Sequence, residues 1–160
     1  MRNERRPHIV TMESGVRLDR DGPVATVTLC RPHVLNAQTP VMWEALQQFG
    51  ADLPGDVRVV VVTGEGRAFS AGLDLAAVST GGADFSFANM AKLDPEEAAD
   101  KIARFQEGFS WLRRPDLVSI AAVRGHAIGA GFQLALACDL RVLTEDAQLT
   151  MAEVSSATFD

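Results

Sequence analysis

Val123-Arg124-Gly125-His126-Ala127-Ile128-Gly129-Ala130-Gly131-Phe132-Gln133-Leu134-Ala135-Leu136-Ala137-Cys138-Asp139 runs from an apolar strand end through three glycines straight into an apolar helix. The run Val118 to Val123 before it reads as a buried strand, Gly125 to Gly131 as a turn, and Phe132 to Ala137 as the helix. Glycines let a ligand approach the backbone closely. A helix that begins straight after such a turn leaves unpaired N–H groups and the positive end of its dipole aimed at the gap. A second junction of the same kind lies upstream. Val57 to Thr63, with four consecutive valines at Val59 to Val62, reads as a strand covered on both faces. It leads into Gly66-Arg67-Ala68-Phe69-Ser70-Ala71-Gly72-Leu73-Asp74-Leu75. Two such turns side by side could put two N–H donors on one oxygen, which is how an oxyanion hole is built. Each turn, taken singly, is equally a plain strand-to-helix connection. Neither is a nucleotide fingerprint: Gly129-x-Gly131 lacks the third glycine, and the first turn has no P-loop lysine.

Working outward, Val16 to Leu18 and Val24 to Leu29 read as a hairpin about Asp21-Gly22-Pro23. Thr39-Pro40 reads as an N-cap followed by proline at the first helical position, with the helix running Val41 to Leu53. Pro95 opens another helix, whose Ile102, Phe105, Phe109 and Leu112 share one face. Leu140 to Leu143 and Gln148 to Met151 are short strands. Ser79 to Leu93 has no clear pattern, and no internal repeat with shared residues is evident. The order ββ-α-β-loop-α-β-α-ββ specifies an α/β protein. Residues 1–14 read as a flexible N-terminus, and 15–160 as one core domain.

The chain has 160 residues, 47% hydrophobic and 22% charged, with a net charge of −6. That balance argues against a nucleic-acid or anionic-membrane partner, though not against an anionic small ligand. No apolar run reaches the length of a membrane span. Cys30 and Cys138 lie in apolar runs and read as buried free thiols, which fits a reducing compartment and a cytoplasmic protein. Neither belongs to a zinc pattern, and no metal site is expected.

The two glycine segments together resemble the paired signatures of the enoyl-CoA hydratase/isomerase (crotonase) family. Phe69 to Leu75 matches its F-x-A-G-x-D-L pattern, and Gly125 to Asp139 its G-x-A-x-G-[GA]-G-x-x-L-x-x-x-C-D pattern. Arg31-Pro32 with Leu35-Asn36-Ala37, the strand Val60 to Gly64, and Ala147 to Val154 resemble further family segments in order. The resemblance implies a crotonase-like spiral of ββα units, cut short at the C-terminus because family members continue past Asp160. It implies an acyl-CoA thioester as ligand, with coenzyme A as part of the substrate and no other cofactor. The thioester oxygen would sit on the backbone N–H groups of Leu73 and Ala130, with Ala71, Gly72 and Gly129 against the substrate. Alanine at position 130 is expected to adopt ordinary helical geometry. Arg31 would meet the CoA phosphates, or else is a solvated surface arginine. Asp74 and Asp139 read as caps or turn residues, and His126 as a structural histidine on a buried turn. The family's oligomers imply a homo-oligomer, a trimer or hexamer.

Hydratases of the family use two glutamates around one water. The matching positions here are Gln133 and Glu153. Glutamine cannot take or give a proton near neutral pH. One glutamate can still shuttle a proton between two carbons of an acyl chain, which favours double-bond isomerisation over hydration. The other expectation is a non-catalytic acyl-CoA-binding or assembly module, inactive through Gln133 and the short C-terminus.

Overall fold

The computed structural model describes residues 9–11, 14–79 and 87–151. Eight strands and five α-helices follow the chain among them: β1 (Ile9–Thr11), β2 (Val16–Asp21), β3 (Val24–Leu29), α1 (Pro40–Asp52), β4 (Val59–Gly64), α2 (Leu75–Ser79), α3 (Phe87–Met90), α4 (Pro95–Ser110), β5 (Val118–Val123), β6 (His126–Ile128), α5 (Ala130–Ala137), β7 (Leu140–Leu143) and β8 (Gln148–Thr150). Six strands make one sheet in the order β1-β2-β3-β4-β5-β7. β1, β2 and β3 are antiparallel, and β3, β4, β5 and β7 run parallel. The expected hairpin is there, with Asp21 opposite Val24. Ile9–Thr11 pair with β2, where the sequence reads as a flexible terminus. Three residues are too few for a periodic signal, and pairing with β2 supplies the order.

Each parallel strand is followed by a shorter extended segment crossing to a second layer. Gln38 bridges Leu73, Ser70 bridges Ala127, and β6 pairs with β8. The spiral of ββα units is therefore present as a repeat of geometry, without a repeat of residues.

Register explains the core. Leu18, Val27, Val62 and Ala121 stand in one row across β2 to β5, and Leu29, Val60 and Val123 share their face; all are buried. The opposite face carries Val59, Val61 and Ala122, which are only half-buried. The four-valine run is thus fully covered on one face and partly on the other, a correction to the expectation of two buried faces. Apolar content alone cannot report unequal cover.

Onto the buried face α1 brings Met42, Trp43, Leu46 and Phe49. Thr39 caps α1 by accepting from the Met42 N–H, with Pro40 at the first turn. α4 begins in a capping box: the Asp94 carboxylate accepts from the Glu96 and Glu97 N–H groups, and Glu97 reaches back to the Asp94 N–H. Of the residues expected on its apolar face, Phe105 and Phe109 pack on Trp43 with ring centroids 5.1 and 6.2 Å away, and Leu112 is fully buried. Ile102 is 46% exposed.

α1 and α4 approach through glycines. A Cβ at Gly108 would stand 2.8 Å from the Trp43 carbonyl oxygen, and one at Gly50 would run into the Trp111 ring. Alanine normally stabilises a helix over glycine by about 0.5–1 kcal/mol. Gly108→Ala should nevertheless lower stability by about 1–3 kcal/mol, the usual cost of overpacking, because backbone cannot step aside as a side-chain tip can. Urea unfolding of the two proteins reads the difference; a stabilised variant would show that the helices can separate freely.

No helix among the described residues is long and apolar enough to cross a membrane. Both cysteines are free; Cys138 is buried and Cys30 half-buried. Burial pushes the Cys138 thiol up to about 11 and raises that of Cys30.

Candidate functional site

Strands β4 and β5 are parallel neighbours, so the turns that follow them leave the same end of the sheet. Phe69 and Ser70 then pair with the start of the second turn. The Phe69 N–H donates to the Arg124 carbonyl at 2.8 Å, Ser70 N–H to His126 at 3.0 Å, and Ile128 N–H to Ser70 at 3.0 Å. Three glycines set how closely the turns meet. Gly72 has φ +91°, and a Cβ there would lie 2.6 Å from the Ile128 oxygen and 3.5 Å from the Ala130 nitrogen. A Cβ at Gly131 would lie 2.6 Å from the Ser70 oxygen, and one at Gly125 would strike the Arg67 carbonyl. Each glycine is needed for backbone to touch backbone.

The Leu73 peptide is oriented from the far side. Gln38 N–H donates to the Gly72 carbonyl at 2.6 Å, and the Gln38 carbonyl accepts from Asp74 N–H at 2.8 Å. In a trans peptide the carbonyl and the following N–H point in opposite directions. With the Gly72 carbonyl turned to Gln38, the Leu73 N–H is turned away from Gln38. Ala130 opens α5 after Gly129 at φ +50°, and Gly129 supplies no side-chain cap. Ala130 itself is helical, as expected, so its methyl group costs nothing in backbone strain. The helix starts two residues earlier than Phe132, directly after the positive φ of Gly129. Neither the Leu73 nor the Ala130 N–H donates to an acceptor among the described residues.

Around these peptides, Ala71 N–H donates to the Leu35 carbonyl and Gly129 N–H to Thr150. Asn36 is wholly buried: its Nδ2 donates to the Glu65 and Ala68 carbonyls, and its Oδ1 accepts from Arg31 N–H, all at 2.9 Å. Leu35 and Asn36 both hold positive φ. Arg31 turns inward, donating to the Ala37 carbonyl at 2.6 Å and pairing with Asp74 at 3.0 Å. Asp74 also accepts from the Ala77 N–H at the start of α2, a cap as expected. Asp139 accepts from the Ser119 N–H and hydroxyl, tying α5 to β5. His126 is exposed, not on a buried turn: β6 turns that side chain outward while Ala127 faces the core. Gln133, the fourth residue of α5, is exposed, and its N–H donates to the Gly129 carbonyl. Glu153 lies outside the described residues. Among the described residues no cluster of His, Cys, Asp and Glu could hold a metal. A surface groove of about 630 Å³ between α1 and α4, lined by Glu44, Asp100 and Phe105 among others, touches neither turn.

Burial alone would raise the Asp74 pKa, but the Ala77 N–H and the Arg31 guanidinium outweigh it and hold the carboxyl below its ordinary value of 3.8. A depressed folded pKa gives stability that is complete above the unfolded value and is lost as pH falls through the folded one. Asp74→Asn should therefore flatten the acid limb of a stability-versus-pH curve below about pH 4. An unchanged acid limb would mean the pair contributes nothing.

Sequence reasoning passed over Gln38 and Ser70, although both are fully buried beside the turns.

Residues 19–160 match the family model described as enoyl-CoA hydratase/isomerase. EchA14 of Mycobacterium tuberculosis H37Rv, assigned as an enoyl-CoA hydratase, is 39% identical over 129 residues, covering 79% of this chain and 46% of that protein. Human mitochondrial Delta(3,5)-Delta(2,4)-dienoyl-CoA isomerase is 35% identical over 135 residues, covering 82% of this chain and 40% of its own length. A Thermobifida fusca YX protein assigned to the enoyl-CoA hydratases and crystallised with acetoacetyl-CoA superposes with a TM-score of 0.82 at 52% identity, over 90% of this chain and 56% of that one. The chain spans about half the length of these relatives. With the signatures in order, the spiral built and the two turns in contact, this chain belongs to the enoyl-CoA hydratase/isomerase family.

Proposed function

We propose that the chain binds an acyl-CoA thioester with its carbonyl oxygen between the Leu73 and Ala130 N–H groups, and catalyses double-bond isomerisation in preference to hydration. The observation that carries this reading is the close approach of the two turns, where a Cβ at Gly72 would stand 2.6 Å from the Ile128 carbonyl oxygen and 3.5 Å from the Ala130 nitrogen. As a proton leaves the carbon next to the carbonyl, charge gathers on the oxygen. Donors aimed there act more strongly on the enolate than on the substrate. Glu153 would take that proton and return it two carbons further on, moving the double bond without adding water. Ala71, Gly72 and Gly129 would lie against the substrate as backbone. The acetoacetyl-CoA bound by the T. fusca relative supports the ligand class. Arg31 would act on CoA through the loop it holds, since its guanidinium already has partners in Ala37 and Asp74. Assay of the purified chain on 2-enoyl- and 3-enoyl-CoA tests the reading. Turnover of the 3-enoyl substrate above hydration of the 2-enoyl one is the expected result; hydration as the faster reaction would overturn it, and binding without turnover would make the chain a non-catalytic module.

The proposal extends to assembly. β7 is an edge strand of the six-stranded sheet, and Leu140, Val142 and Leu143 on it are 48 to 63% exposed. An exposed apolar edge templates pairing with another chain. Sedimentation at micromolar concentration should show a species larger than the monomer; a clean monomer would count against a homo-oligomer.

A further inference from the structure

Beneath the Leu73 peptide lies a buried polar chain whose direction is set at one end. The Trp43 indole N–H can only donate, and it donates to Gln38 Oε1 at 2.8 Å. That turns the other end of the amide, Nε2, toward the Ser70 hydroxyl at 3.2 Å. The hydroxyl has a single proton, which it gives to the Asn36 carbonyl at 2.8 Å. It therefore accepts from Gln38, and it accepts again from the Gly72 N–H at 3.2 Å. One donor and two lone pairs are all in use. Gln38 and Ser70 are both fully buried, and no buried side-chain N or O among the described residues lacks a partner. The main chain of Gln38 grips the same loop on the other side, through the Gly72 carbonyl and the Asp74 N–H.

We infer that Gln38 and Ser70 are positioning residues that aim the Leu73 N–H at the thioester oxygen, with the Trp43 indole fixing the polarity of the pair. This rests on the reading proposed above. Gly72 is grasped at its N–H by Ser70 and at its carbonyl by Gln38. Those two bonds define the tilt of the peptide whose other end is the Leu73 N–H. Trp43 in turn packs on Phe105 and Phe109, so the aim of the donor depends on how α1 and α4 meet. A Cβ at Gly131 would stand 2.7 Å from Ser70 Cβ and 2.9 Å from its Oγ, so the lack of a side chain there lets the α5 turn lie alongside the hydroxyl. One short network thus sets one donor and borders the element that carries the other.

The carbonyl stretch of acetyl-CoA labelled with ¹³C at the thioester carbon reports the aim directly, by difference infrared spectroscopy at saturating ligand. Hydrogen bonds to the oxygen weaken the C=O bond and lower its frequency. The unmodified chain should lower it on binding. Ser70→Ala removes the acceptor for Gly72, and Trp43→Phe keeps the aromatic packing but frees the Gln38 amide to reverse. Both should lose most of the shift while affinity for acetyl-CoA changes only a few-fold. Phe49→Leu, a core substitution on α1 outside the network, should lower thermal stability yet leave the shift intact. A full shift in Trp43→Phe, or in a folded Ser70→Ala, overturns the positioning role and leaves the proposed function standing. If Ser70→Ala does not fold, Trp43→Phe decides. Absence of any shift in the unmodified chain, or binding no tighter than CoA alone, overturns the proposed function and this role with it.

Discussion

Glu153→Gln should lower isomerisation of 3-enoyl-CoA by about 10²–10⁴-fold, the usual contribution of a general acid–base group. Acyl-CoA binding should change little, because the proposed oxygen donors are backbone N–H groups of Leu73 and Ala130, untouched by the substitution. The size of the effect follows from the pairing at this position. The family resemblance assigns the two glutamate positions to Gln133 and Glu153, and an amide can orient a water but cannot exchange its proton. Glu153 is then the one matched carboxylate available to move a proton. Gln133→Glu should accordingly raise hydration of 2-enoyl-CoA. Gln133 is exposed, on the second turn of α5, so a carboxylate there would keep contact with water. Steady-state rates on both substrates for the two variants provide the check. Robust hydration by the unmodified chain that survives Glu153→Gln would mean the proton donor lies elsewhere.

The second large effect is expected at Gly72→Ala. Two penalties combine there. The residue sits at φ +91°, where a Cβ costs about 1–2 kcal/mol. The new methyl would also stand 2.6 Å from the Ile128 carbonyl oxygen, so the two turns have to part. Parting them would move the Leu73 and Ala130 N–H groups off the common point proposed for them, and one such donor is typically worth about 10²–10³ in kcat. Turnover should therefore fall by about 10²-fold or more. Gly22→Ala is the control. Gly22 also has positive φ, at +55°, but a Cβ there meets nothing within 4 Å. It carries the backbone penalty alone, and activity should stay near that of the unmodified chain. If the two variants lose activity equally, the close approach of the turns is irrelevant to the chemistry.

What the residues announced in advance were the features whose causes lie within a few positions of one another. The hairpin around Asp21-Gly22-Pro23, the start of α1 at Thr39-Pro40 and the start of α4 at Pro95 depend on turn chemistry and capping, both local. The strands β4 and β5 stood out as apolar runs, and the two glycine turns as breaks directly after them. The family resemblance rested on those turns in order, and the match over residues 19–160 bears it out.

Tertiary structure decided the rest, for reasons of distance along the chain. The three-residue β1 and β6 and the single-residue bridges at Gln38 and Ser70 are too short for any period to register. They exist because a neighbour presents unpaired N–H and carbonyl groups to them. His126 was expected on a buried turn and is exposed, because pairing with β8 sets which side of β6 faces out. Gln38 and Ser70, 32 residues apart, are an unremarkable glutamine and serine until the fold sets them against Trp43 and Gly72. Sequence alone determined which peptides are free of side chains and so able to come together: Gly72, Gly125, Gly129 and Gly131. Only the packed spiral decided that they do, because a Cβ at Gly72, Gly125 or Gly131 would strike backbone belonging to a distant turn.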